Sequence, residues 1–340
     1  MRAEKRVELV TGATGFIGGH LARRLVREGR KVRVLCRKGS ERRLPADVLR
    51  SAEIVRGDLR DRDSLMRASE DALRVYHCAG YGSGRGNSAD FEATHVKGTR
   101  WLLEAAMVAD VDRFVHLSSV AAFGTPVPRY FDDNSGYGPS RDAYSRAKAE
   151  GEKVVFDFHF KTGLPVTVLR PALVYGPGGS WFDEPIRMIE QDRMFLLGGA
   201  RGTCHPCYVE NLVDAMILAA RHPRAVGRGY IVADGQSISF REFFDCLAEV
   251  AGRPPIRKTV PLPIARAMAL ALEASAKLRR SDVRPLLTHS AISMVTTRSQ
   301  TSTRRIREEL GFEARYDFGR AVEELKGWYR ERGPLSAQPR

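Results

Sequence analysis

The order of apolar runs along residues 7–170 constrains the fold of this chain more than any other feature. Short runs rich in β-branched residues alternate with longer amphipathic stretches. The short runs predict strands over 7–10, 32–36, 53–55, 74–78, 113–118 and 166–170. The clearest helices predicted between them cover 16–28, 91–109 and 142–161. Alternation at this spacing is typical of βαβ units with right-handed crossovers, so we expect an α/β fold built on a doubly wound parallel sheet.

The second half of the chain loses this rhythm. A loop rich in glycine and proline covers 176–180, a short strand is predicted at 230–233, and helices are predicted over 209–220, 240–251 and 264–278. We therefore expect residues 1–175 to form the sheet domain, with 203–233 returning to it. Residues 176–202 and 234–335 are expected to form a smaller, mostly C-terminal α/β domain.

Composition excludes several classes of protein. The 340 residues are 43% hydrophobic and 28% charged, which is typical of a globular chain. No apolar run reaches the ~18 residues of a membrane span. The first residues lack the apolar core of a signal peptide, and the five cysteines are scattered rather than arranged as a disulfide framework. We therefore expect a cytoplasmic protein in a reducing compartment.

The net charge of +14 leaves two interpretations open. It can reflect an anionic partner, such as nucleic acid, a membrane surface or a phosphorylated cofactor, or it can reflect a general excess of arginine. The arginines are spread along the chain without a recognisable nucleic-acid-binding motif, so we expect no nucleic-acid partner.

A glycine-rich turn follows the first predicted strand and opens the first predicted helix. Gly12 permits a tight turn, Gly15 lets the backbone approach a pyrophosphate, and Gly18 allows close packing of helix on sheet. The free N–H groups at the helix N-terminus then bind the phosphates. The pattern predicts a dinucleotide site of the Rossmann type, the alternative being a glycine-rich turn without a ligand. The expected cofactor contacts here are Gly12, Thr14, Gly15, Phe16, Ile17 and Gly18.

The ends of the next two strands predict which dinucleotide binds. An acidic residue after the second strand would bind the ribose hydroxyls of NAD. This chain has Arg37 and Lys38 there, and two cations suit the 2′-phosphate of NADP. Asp58, followed by Leu59, can accept a hydrogen bond from the adenine amino group, although an Asp at this place can also cap the next helix. We expect NADP as the cofactor, with NAD as the alternative.

A Tyr-x-x-x-Lys spacing lies in the predicted helix 142–161. Residues four apart share one helix face, so Tyr144 and Lys148 can reach one substrate oxygen and one ribose. A free tyrosine has a pKa near ~10, and we expect the Lys148 ammonium to lower it. Ser119, at the end of the fifth predicted strand, can donate a hydrogen bond to the same substrate oxygen. This order of motifs predicts a catalytic site in which a tyrosine acts as acid or base beside a bound dinucleotide.

The motifs TGATGFIG, GDL, LSSVAAFG, YSRAK and LRPALVYGPG stand in the order found in the extended short-chain dehydrogenases/reductases, the NAD(P)-dependent epimerase/dehydratase superfamily. Over about residues 5–235 the chain resembles that family. The resemblance implies that Ser119, Tyr144 and Lys148 are the catalytic triad, with Lys148 also on the nicotinamide ribose. It implies that Ala79 and Gly80 lie under the cofactor. It further implies that segment 171–174 meets the nicotinamide, through Pro171, Leu173 and Val174.

The same resemblance implies a substrate-binding role for the smaller domain and a homodimer formed by helices 91–109 and 142–161. One residue departs from the family pattern. The family often has Asn in an NVxGT motif, and in the matching run THVKGT this chain has His95. We expect His95 to be a local structural replacement rather than a catalytic group.

Three further positions favour a branch of the family that acts on apolar molecules. Relatives that bind nucleotide sugars often have Asn where Leu173 stands, and dehydratases have an Asp-Glu pair where Val120 and Ala121 stand. The C-terminal pattern is similar to the 3β-hydroxysteroid dehydrogenase-like and dihydroflavonol-reductase-like branches. We therefore expect a ketoreductase that interconverts a ketone and a secondary alcohol on a sterol-like or polyketide-like substrate. The alternatives are an NDP-sugar 4-epimerase with tightly bound NAD and a non-catalytic regulatory or RNA-binding protein on the same fold.

For two local features of the sequence we expect a structural role. Cys204 and Cys207 form a CxxC pair, which we expect to be two structural cysteines rather than a redox or metal site. The predicted helix 264–278 is apolar nearly all round, so we expect it to be buried core or pocket wall rather than in peripheral contact with a membrane.

Overall fold

The computed structural model describes residues 7–82, 87–125, 128–140, 142–278 and 287–338, without the side chains of residues 276–278. The predicted domains also contain residues 1–6, 83–86, 126–127, 141 and 279–286, which lie outside the described part. The central sheet has seven strands: β1 (Val7–Thr11), β2 (Val32–Cys36), β3 (Glu53–Arg56), β4 (Ala72–His77), β5 (Arg113–Leu117), β6 (Val166–Pro171) and β7 (Arg228–Val232).

Every neighbouring pair of strands in this sheet is parallel, and the order across it is β7-β6-β5-β4-β1-β2-β3. The order reverses direction at β1, so the sheet is doubly wound, which confirms the predicted fold. A crevice forms at such a reversal, outside the carboxyl ends of the strands, and ligands of this fold bind there.

Helices flank the sheet and extend beyond it. They are α1 (Phe16–Arg27), α2 (Ala46–Ser51), α3 (Arg62–Ser69), α4 (Ser88–Phe91), α5 (Thr99–Val108), α6 (Ala143–Thr162), α7 (Ser180–Glu190), α8 (Val209–Arg221), α9 (Phe240–Val250), α10 (Leu262–Leu278), α11 (His289–Thr296), α12 (Arg304–Leu310) and α13 (Phe318–Arg332). Among the described helices, none is both long enough and apolar enough to cross a membrane.

Each face of the sheet has its own apolar core, because successive strand residues point to opposite faces. Val10 packs with α1 and α8, where Leu21 and Met216 are fully buried. Its neighbour Leu9 packs on the other face with α3, α5 and α6, where Leu102 is fully buried. The strand period thus dictates the layered arrangement of helices on both sides.

A further core lies at the carboxyl edge of the sheet. It is built from α7, α9 and α13, and Phe182 and Phe243 are fully buried in it. Its rim includes Phe16, at the start of α1, and Leu173, in the short strand Leu173–Tyr175 that follows β6. That strand pairs in parallel with Pro206–Tyr208, which leads into α8. The second half of the chain therefore packs directly beside the glycine-rich turn.

The predicted helix 91–109 is longer and less regular than expected. It begins at Ser88, where Asn87 and Asp90 cap each other by reciprocal hydrogen bonds. Its middle, Glu92–Gly98, is π-helical before α5 continues. Wider π-helical turns are frequently found at functional sites. Here the π-helical turn carries His95, which is 2% exposed.

Helix α10 contradicts the expectation of a buried helix. It starts at Leu262, with Pro263 in the first turn, where proline is tolerated. Ala265 and Ala269 are fully buried against α11. Several larger side chains of α10 are exposed instead: Ile264, Met268, Leu270 and Leu272.

Helices α2, α3, α7, α11, α12 and α13 are not among the helices predicted from the sequence, although local signals for α12 and α13 are present. Asp317 caps α13 by accepting a hydrogen bond from the Arg320 N–H, and Gly311 ends α12 in the left-handed conformation. Both are ordinary start and stop signals of helices. The loop at 176–180 is shorter than expected, because Ser180 already belongs to α7.

Candidate active site

The glycine-rich turn lies directly against the end of β4. Gly12 has a φ of +77°, and a Cβ on it would lie 2.7 Å from the Ala79 backbone nitrogen. A Cβ on Gly18 would overlap the Gly12 carbonyl oxygen. Both positions therefore exclude larger residues for steric reasons that are independent of any ligand. The structure brings Gly12, Gly18 and Ala79 together, as expected for a surface on which a dinucleotide lies.

The start of α1 is free to bind an anion. Gly15 is the N-cap residue and provides no side-chain hydrogen bond, and the first turn contains no acidic residue. The backbone N–H groups of Phe16 and Ile17 therefore lack an intrahelical acceptor and meet the positive end of the helix dipole. With Thr14 half-buried beside them, these features fit the pyrophosphate of a dinucleotide.

The segment after β6 closes this turn from the other side. Phe16 and Ile17 pack on the same core as Leu173 and Val174. The Phe16 ring also covers the loop before α7, since a Cβ on Gly179 would lie 2.6 Å from that ring. Pro171 is buried as the last residue of β6. The predicted contacts on the two segments are therefore neighbours in space.

Replacing Gly12 by alanine is expected to lower the free energy of unfolding by about 2–3 kcal/mol and to abolish dinucleotide binding. The left-handed backbone costs about 1 kcal/mol for alanine, and the clash with the Ala79 backbone adds the rest. Urea unfolding and NADPH fluorescence titration measure the two effects. Gly29→Ala is the matched control, because Gly29 has a φ of +71° and its Cβ would meet nothing within 4 Å. Equal effects of both substitutions would contradict the role of close approach.

The residues predicted to contact the adenosine end lie together after β2 and β3. Arg37 and Lys38 are exposed. Burial raises the pKa of Asp58, but hydrogen bonds from Arg60 and the nearby charge of Arg37 outweigh it, so the pKa of this carboxyl falls. The helix-cap alternative for Asp58 is wrong, because Asp61 caps α3. Asp58 therefore keeps an ionised carboxylate near Arg37.

Leu59 lies deeper than its neighbours. It is 6% exposed and packs against Gly98, where a Cβ would lie 2.8 Å from the Leu59 Cβ. The side chain thus connects the loop after β3 to the end of the π-helical turn.

His95 fills the space beside Gly80. A Cβ on Gly80 would overlap the His95 ring. The His95 Nε2 lies 3.0 Å from the Tyr81 carbonyl oxygen and donates a hydrogen bond to it. The ring stacks on Phe91 and meets the Tyr144 ring edge-on, with centroids 6.3 Å apart. Burial and the Lys148 charge lower the pKa of His95, so the ring is neutral. The His95 side chain thus contacts both the loop after β4 and the Tyr144 ring.

Ser119, Tyr144 and Lys148 converge at the carboxyl end of β5. Asp142 caps α6, which places Tyr144 in its first turn and Lys148 one turn later. The Lys148 ammonium is buried, donates to the Leu117 carbonyl oxygen at 2.8 Å and lies 5.9 Å from the centroid of the Tyr144 ring. The Ser119 oxygen accepts from the Ala121 N–H at 3.1 Å, and the Ser119 hydroxyl lies near enough to Tyr144 to lower the pKa of its phenol.

The protonation of the pair differs from the sequence-based expectation. Burial raises the pKa of Tyr144, and the nearby Ser119 hydroxyl offsets only part of that rise. Burial also lowers the pKa of Lys148 to about 8, against the opposing effect of Glu152. We expected Lys148 to lower the pKa of Tyr144. In the structure the pKa of Tyr144 is raised instead, because burial has the larger effect. Near neutral pH the phenol is protonated and the ammonium is charged.

A buried carboxylate next to this site was missed in the sequence. Glu152 lies one turn beyond Lys148 and is fully buried. It accepts hydrogen bonds from Ser118, from Tyr137 at 3.2 Å, and from Arg170 at 2.9 and 2.7 Å. The available signal was Glu at i+4 from the lysine on α6, together with an arginine inside the apolar strand β6. This network anchors α6 to β5 and β6 directly behind Lys148.

Two further buried histidines lie behind the site, on β4 and β5. His77 is held by Thr11 at 2.9 Å and by Thr99 at 3.0 Å. Burial lowers the pKa of His77 to about 3, and burial also lowers that of His116. Both rings are therefore neutral near pH 7 and add no second positive charge beside Lys148.

The CxxC pair is buried and belongs to two short strands, Thr203–Cys204 and Pro206–Tyr208. Both cysteines are free thiols, and burial raises the pKa of each. Within the described residues, no group of three or more His, Cys, Asp or Glu side chains is arranged to hold a metal ion.

Comparison with known proteins agrees with this geometry. The chain is 31% identical to sterol demethylase protein B of Methylococcus capsulatus, covering 96% of this chain and 99% of that protein. It is 28% identical to the 4-hydroxy-2-methyl-3-oxo-4-farnesyl-3,4-dihydroquinoline-1-oxide ketoreductase of Stigmatella aurantiaca, covering 93% and 95%. The fold is similar to that of the UDP-glucose 4-epimerase of Thermotoga maritima, with a TM-score of 0.75, 23% identity and coverage of 96% and 99%.

The NAD dependent epimerase/dehydratase family matches residues 8–233, and the chain belongs to this family. It is thus an enzyme of the short-chain dehydrogenase/reductase type that acts on CH–OH groups with a nicotinamide dinucleotide. The predicted family and fold are confirmed.

Proposed function

We propose that this enzyme is an NADPH-dependent ketoreductase that interconverts a ketone and a secondary alcohol on a mostly apolar substrate. The observation that supports this most strongly is the convergence of three side chains: Ser119 lies near enough to Tyr144 to lower the pKa of its phenol, and the buried Lys148 ammonium lies 5.9 Å from the centroid of the Tyr144 ring. Ser119, Tyr144 and Lys148 are the catalytic residues of this proposal.

The proposed mechanism divides the work among these three side chains. The bound NADPH supplies the hydride that reduces the carbonyl carbon. Tyr144 donates its phenolic proton to the carbonyl oxygen, and its raised pKa keeps that proton in place at neutral pH. Ser119 donates a hydrogen bond to the same oxygen and stabilises the charge that develops on it. Lys148 binds the ribose and stabilises the phenolate that remains after the proton transfer.

The proposed substrate class rests on the residues around the site. Leu173, at the rim of the second core, provides no hydrogen bond for a sugar phosphate, and Val120 and Ala121 provide no acid for an elimination. The two bacterial relatives bear names that refer to a sterol and to a farnesylated quinoline. We propose that residues 176–202 and 234–335 form the part of the chain that binds the substrate.

The test is an assay of NADPH consumption with a panel of sterol ketones and aromatic or polyketide ketones, beside UDP-glucose. We expect NADPH to be consumed with at least one apolar ketone and the corresponding alcohol to be formed. Enzyme that is purified with NAD already bound and epimerises UDP-glucose without consuming NADPH would refute the ketoreductase and establish the epimerase. Binding of dinucleotide without turnover of any panel member would favour a non-catalytic role.

Reversing the charge of Arg37 tests the choice of cofactor. We expect Arg37→Asp to weaken NADPH binding by at least about tenfold and to leave NADH binding nearly unchanged, because a 2′-phosphate loses a charge-assisted partner and meets a carboxylate instead. Fluorescence titration with both dinucleotides gives the ratio. Arg67→Asp on α3 makes the same change of charge at another exposed position. An unchanged NADPH-to-NADH ratio in Arg37→Asp would refute the phosphate role.

We also propose a homodimer through α5 and α6. These helices pack side by side and leave Val108 66% exposed and Phe160 80% exposed. Buried against a second copy, such side chains contribute favourably to association. Light scattering that gives a monomer mass at micromolar concentration would refute this assembly.

A further inference from the structure

His20 joins three elements beside the start of α1. Its Nδ1 lies 2.7 Å from Oε1 of Glu210, in the first turn of α8, and its Nε2 lies 3.0 Å from the carbonyl oxygen of Pro177. Pro177 belongs to the loop 176–179, which leads into α7. The His20 ring also meets the Phe16 ring edge-on, with centroids 5.5 Å apart. His20 therefore lies between the anion-binding start of α1 and the loop beside it.

The partners of His20 determine the protonation of its ring. Burial raises the pKa of Glu210, but the hydrogen bond from His20 and the nearby positive charges outweigh it, so the carboxyl is ionised. An ionised carboxylate and a backbone carbonyl accept hydrogen bonds and cannot donate them. Both ring nitrogens must therefore donate, so the ring that makes both bonds is the imidazolium. Each of the two bonds is then charge-assisted.

The two hydrogen bonds of His20 reach parts of the chain that are held differently. Helices α1 and α8 pack against each other in one buried core, so Glu210 holds the ring in a fixed orientation. Pro177 lies between Gly176, with a φ of +135°, and Gly178, with a φ of +87°. Such backbone conformations favour glycine, the residue with the greatest conformational freedom. The Glu210 bond therefore orients the ring, and the Pro177 bond connects it to a segment with a glycine on each side.

The other hydrogen bonds of the loop 176–179 lead away from α1. The Gly178 N–H donates to the Asp183 carboxylate on α7 at 3.1 Å, and the Gly179 N–H closes a turn within the loop. Within the part of the chain that the structure describes, the bond from His20 is thus the hydrogen bond that ties this loop to α1. Without it, the loop would stay attached to α7 and would be held on α1 only by packing against the Phe16 ring.

We propose that protonated His20 clamps the loop 176–179 against α1 and thereby slows the release of the bound dinucleotide. The backbone N–H groups of Phe16 and Ile17 fit the pyrophosphate, and the clamped loop forms the rim of that site beside the Phe16 ring. Opening of such a loop commonly limits how fast a ligand leaves. His20 is a positioning residue in this role, because it acts through the loop. The clamp rests on the use of a nicotinamide dinucleotide, which family membership establishes, and not on the proposed ketone substrate.

Two substitutions of His20 separate its two hydrogen bonds. His20→Asn keeps an amide donor near the position of Nδ1 and loses the bond to Pro177. His20→Gln keeps a donor near the position of Nε2 and loses the bond to Glu210. The two variants change the bulk and charge of the side chain in similar ways, so a purely structural role would make them alike.

The first measurement is the release of whichever of NADPH and NADH the parent chain binds more tightly. An excess of the oxidised dinucleotide displaces the reduced form in a stopped-flow instrument, and the loss of fluorescence gives the dissociation rate constant. We expect this constant to rise about tenfold in His20→Asn, because a charge-assisted hydrogen bond is lost. In His20→Gln it should rise less than about threefold, because the Pro177 carbonyl keeps a donor.

The second measurement is hydrogen exchange in the protein without dinucleotide, which detects opening of the loop directly. The Gly178 and Gly179 amides should exchange about tenfold faster in His20→Asn than in the parent, and at nearly the parental rate in His20→Gln. His289→Asn is the matched control, because it alters another histidine that pairs with a glutamate, Glu273, at 3.0 Å on the exposed surface. It should leave both measurements at the parental values.

The clamp is overturned if His20→Asn releases the dinucleotide as slowly as the parent, even if its loop exchanges faster. Equal release from the Asn and Gln variants would also overturn it, since the ring would then have only a structural role. A parent chain that binds neither dinucleotide would leave nothing for the clamp to retain and would overturn it too. Neither measurement involves a ketone, so failure of the clamp and failure of the proposed ketoreductase activity are distinguishable.

Discussion

Enzyme with phenylalanine at position 144 is expected to lose about 10³-fold in kcat while it still binds NADPH. Tyr144→Phe removes the phenolic proton that the proposed mechanism transfers to the substrate oxygen, without altering the ring that packs against His95. General acid catalysis by a positioned side chain contributes about 10²–10⁴-fold, so the loss should be large. Steady-state assays on the best ketone of the panel measure it, and fluorescence titration checks the cofactor.

Tyr130→Phe is the matched control for this prediction. Tyr130 is 61% exposed and lies outside the site, so removal of its hydroxyl should leave kcat within about twofold of the parent. Turnover retained by Tyr144→Phe would show that another group donates the proton, and the proposed mechanism would have to be abandoned. Loss of NADPH binding in the same variant would instead show that the phenol contributes to the cofactor site.

Neutralising Glu152 is expected to lower the free energy of unfolding by about 3–5 kcal/mol. Glu152→Gln keeps the shape of the side chain but removes the direct ion-pair partner of the buried Arg170 guanidinium. Because a buried unpaired charge costs far more than an exposed one, the effect should far exceed that of an ordinary surface substitution. Urea unfolding followed by tryptophan fluorescence gives the change.

Glu150→Gln provides the control on the same helix. Glu150 pairs with Lys153 at 2.7 Å, but both side chains are about half exposed, so its loss should cost less than about 1 kcal/mol. A double variant with Arg170→Met should regain part of the stability that Glu152→Gln loses, since no charge is then left unpaired. If Glu152→Gln is as stable as Glu150→Gln, the buried network does not stabilise the fold.

The alternation of strands and helices determined the fold class, because the periods of two and 3.6 residues are local properties of the chain. The spacing of the glycines at 12, 15 and 18 is also a local property of the chain. Their spacing follows from the geometry of one turn, so the sequence alone predicts where a pyrophosphate would meet the start of α1. The Tyr144–Lys148 spacing likewise places both groups on one face of α6 before any tertiary contact is known.

The structure alone decided what depends on burial and on contacts between distant segments. The network of Glu152, Arg170 and Ser118 joins residues that lie 18 and 34 positions apart, and no local pattern encodes such contacts. The pKa of Tyr144 rises because the site is desolvated, which the residue spacing does not reveal. Helix α10 has the composition of a core helix, and only the packing of its neighbours shows that Ile264, Met268 and Leu270 are exposed. Periodicity tells which side chains share a face, whereas tertiary packing determines which faces are covered.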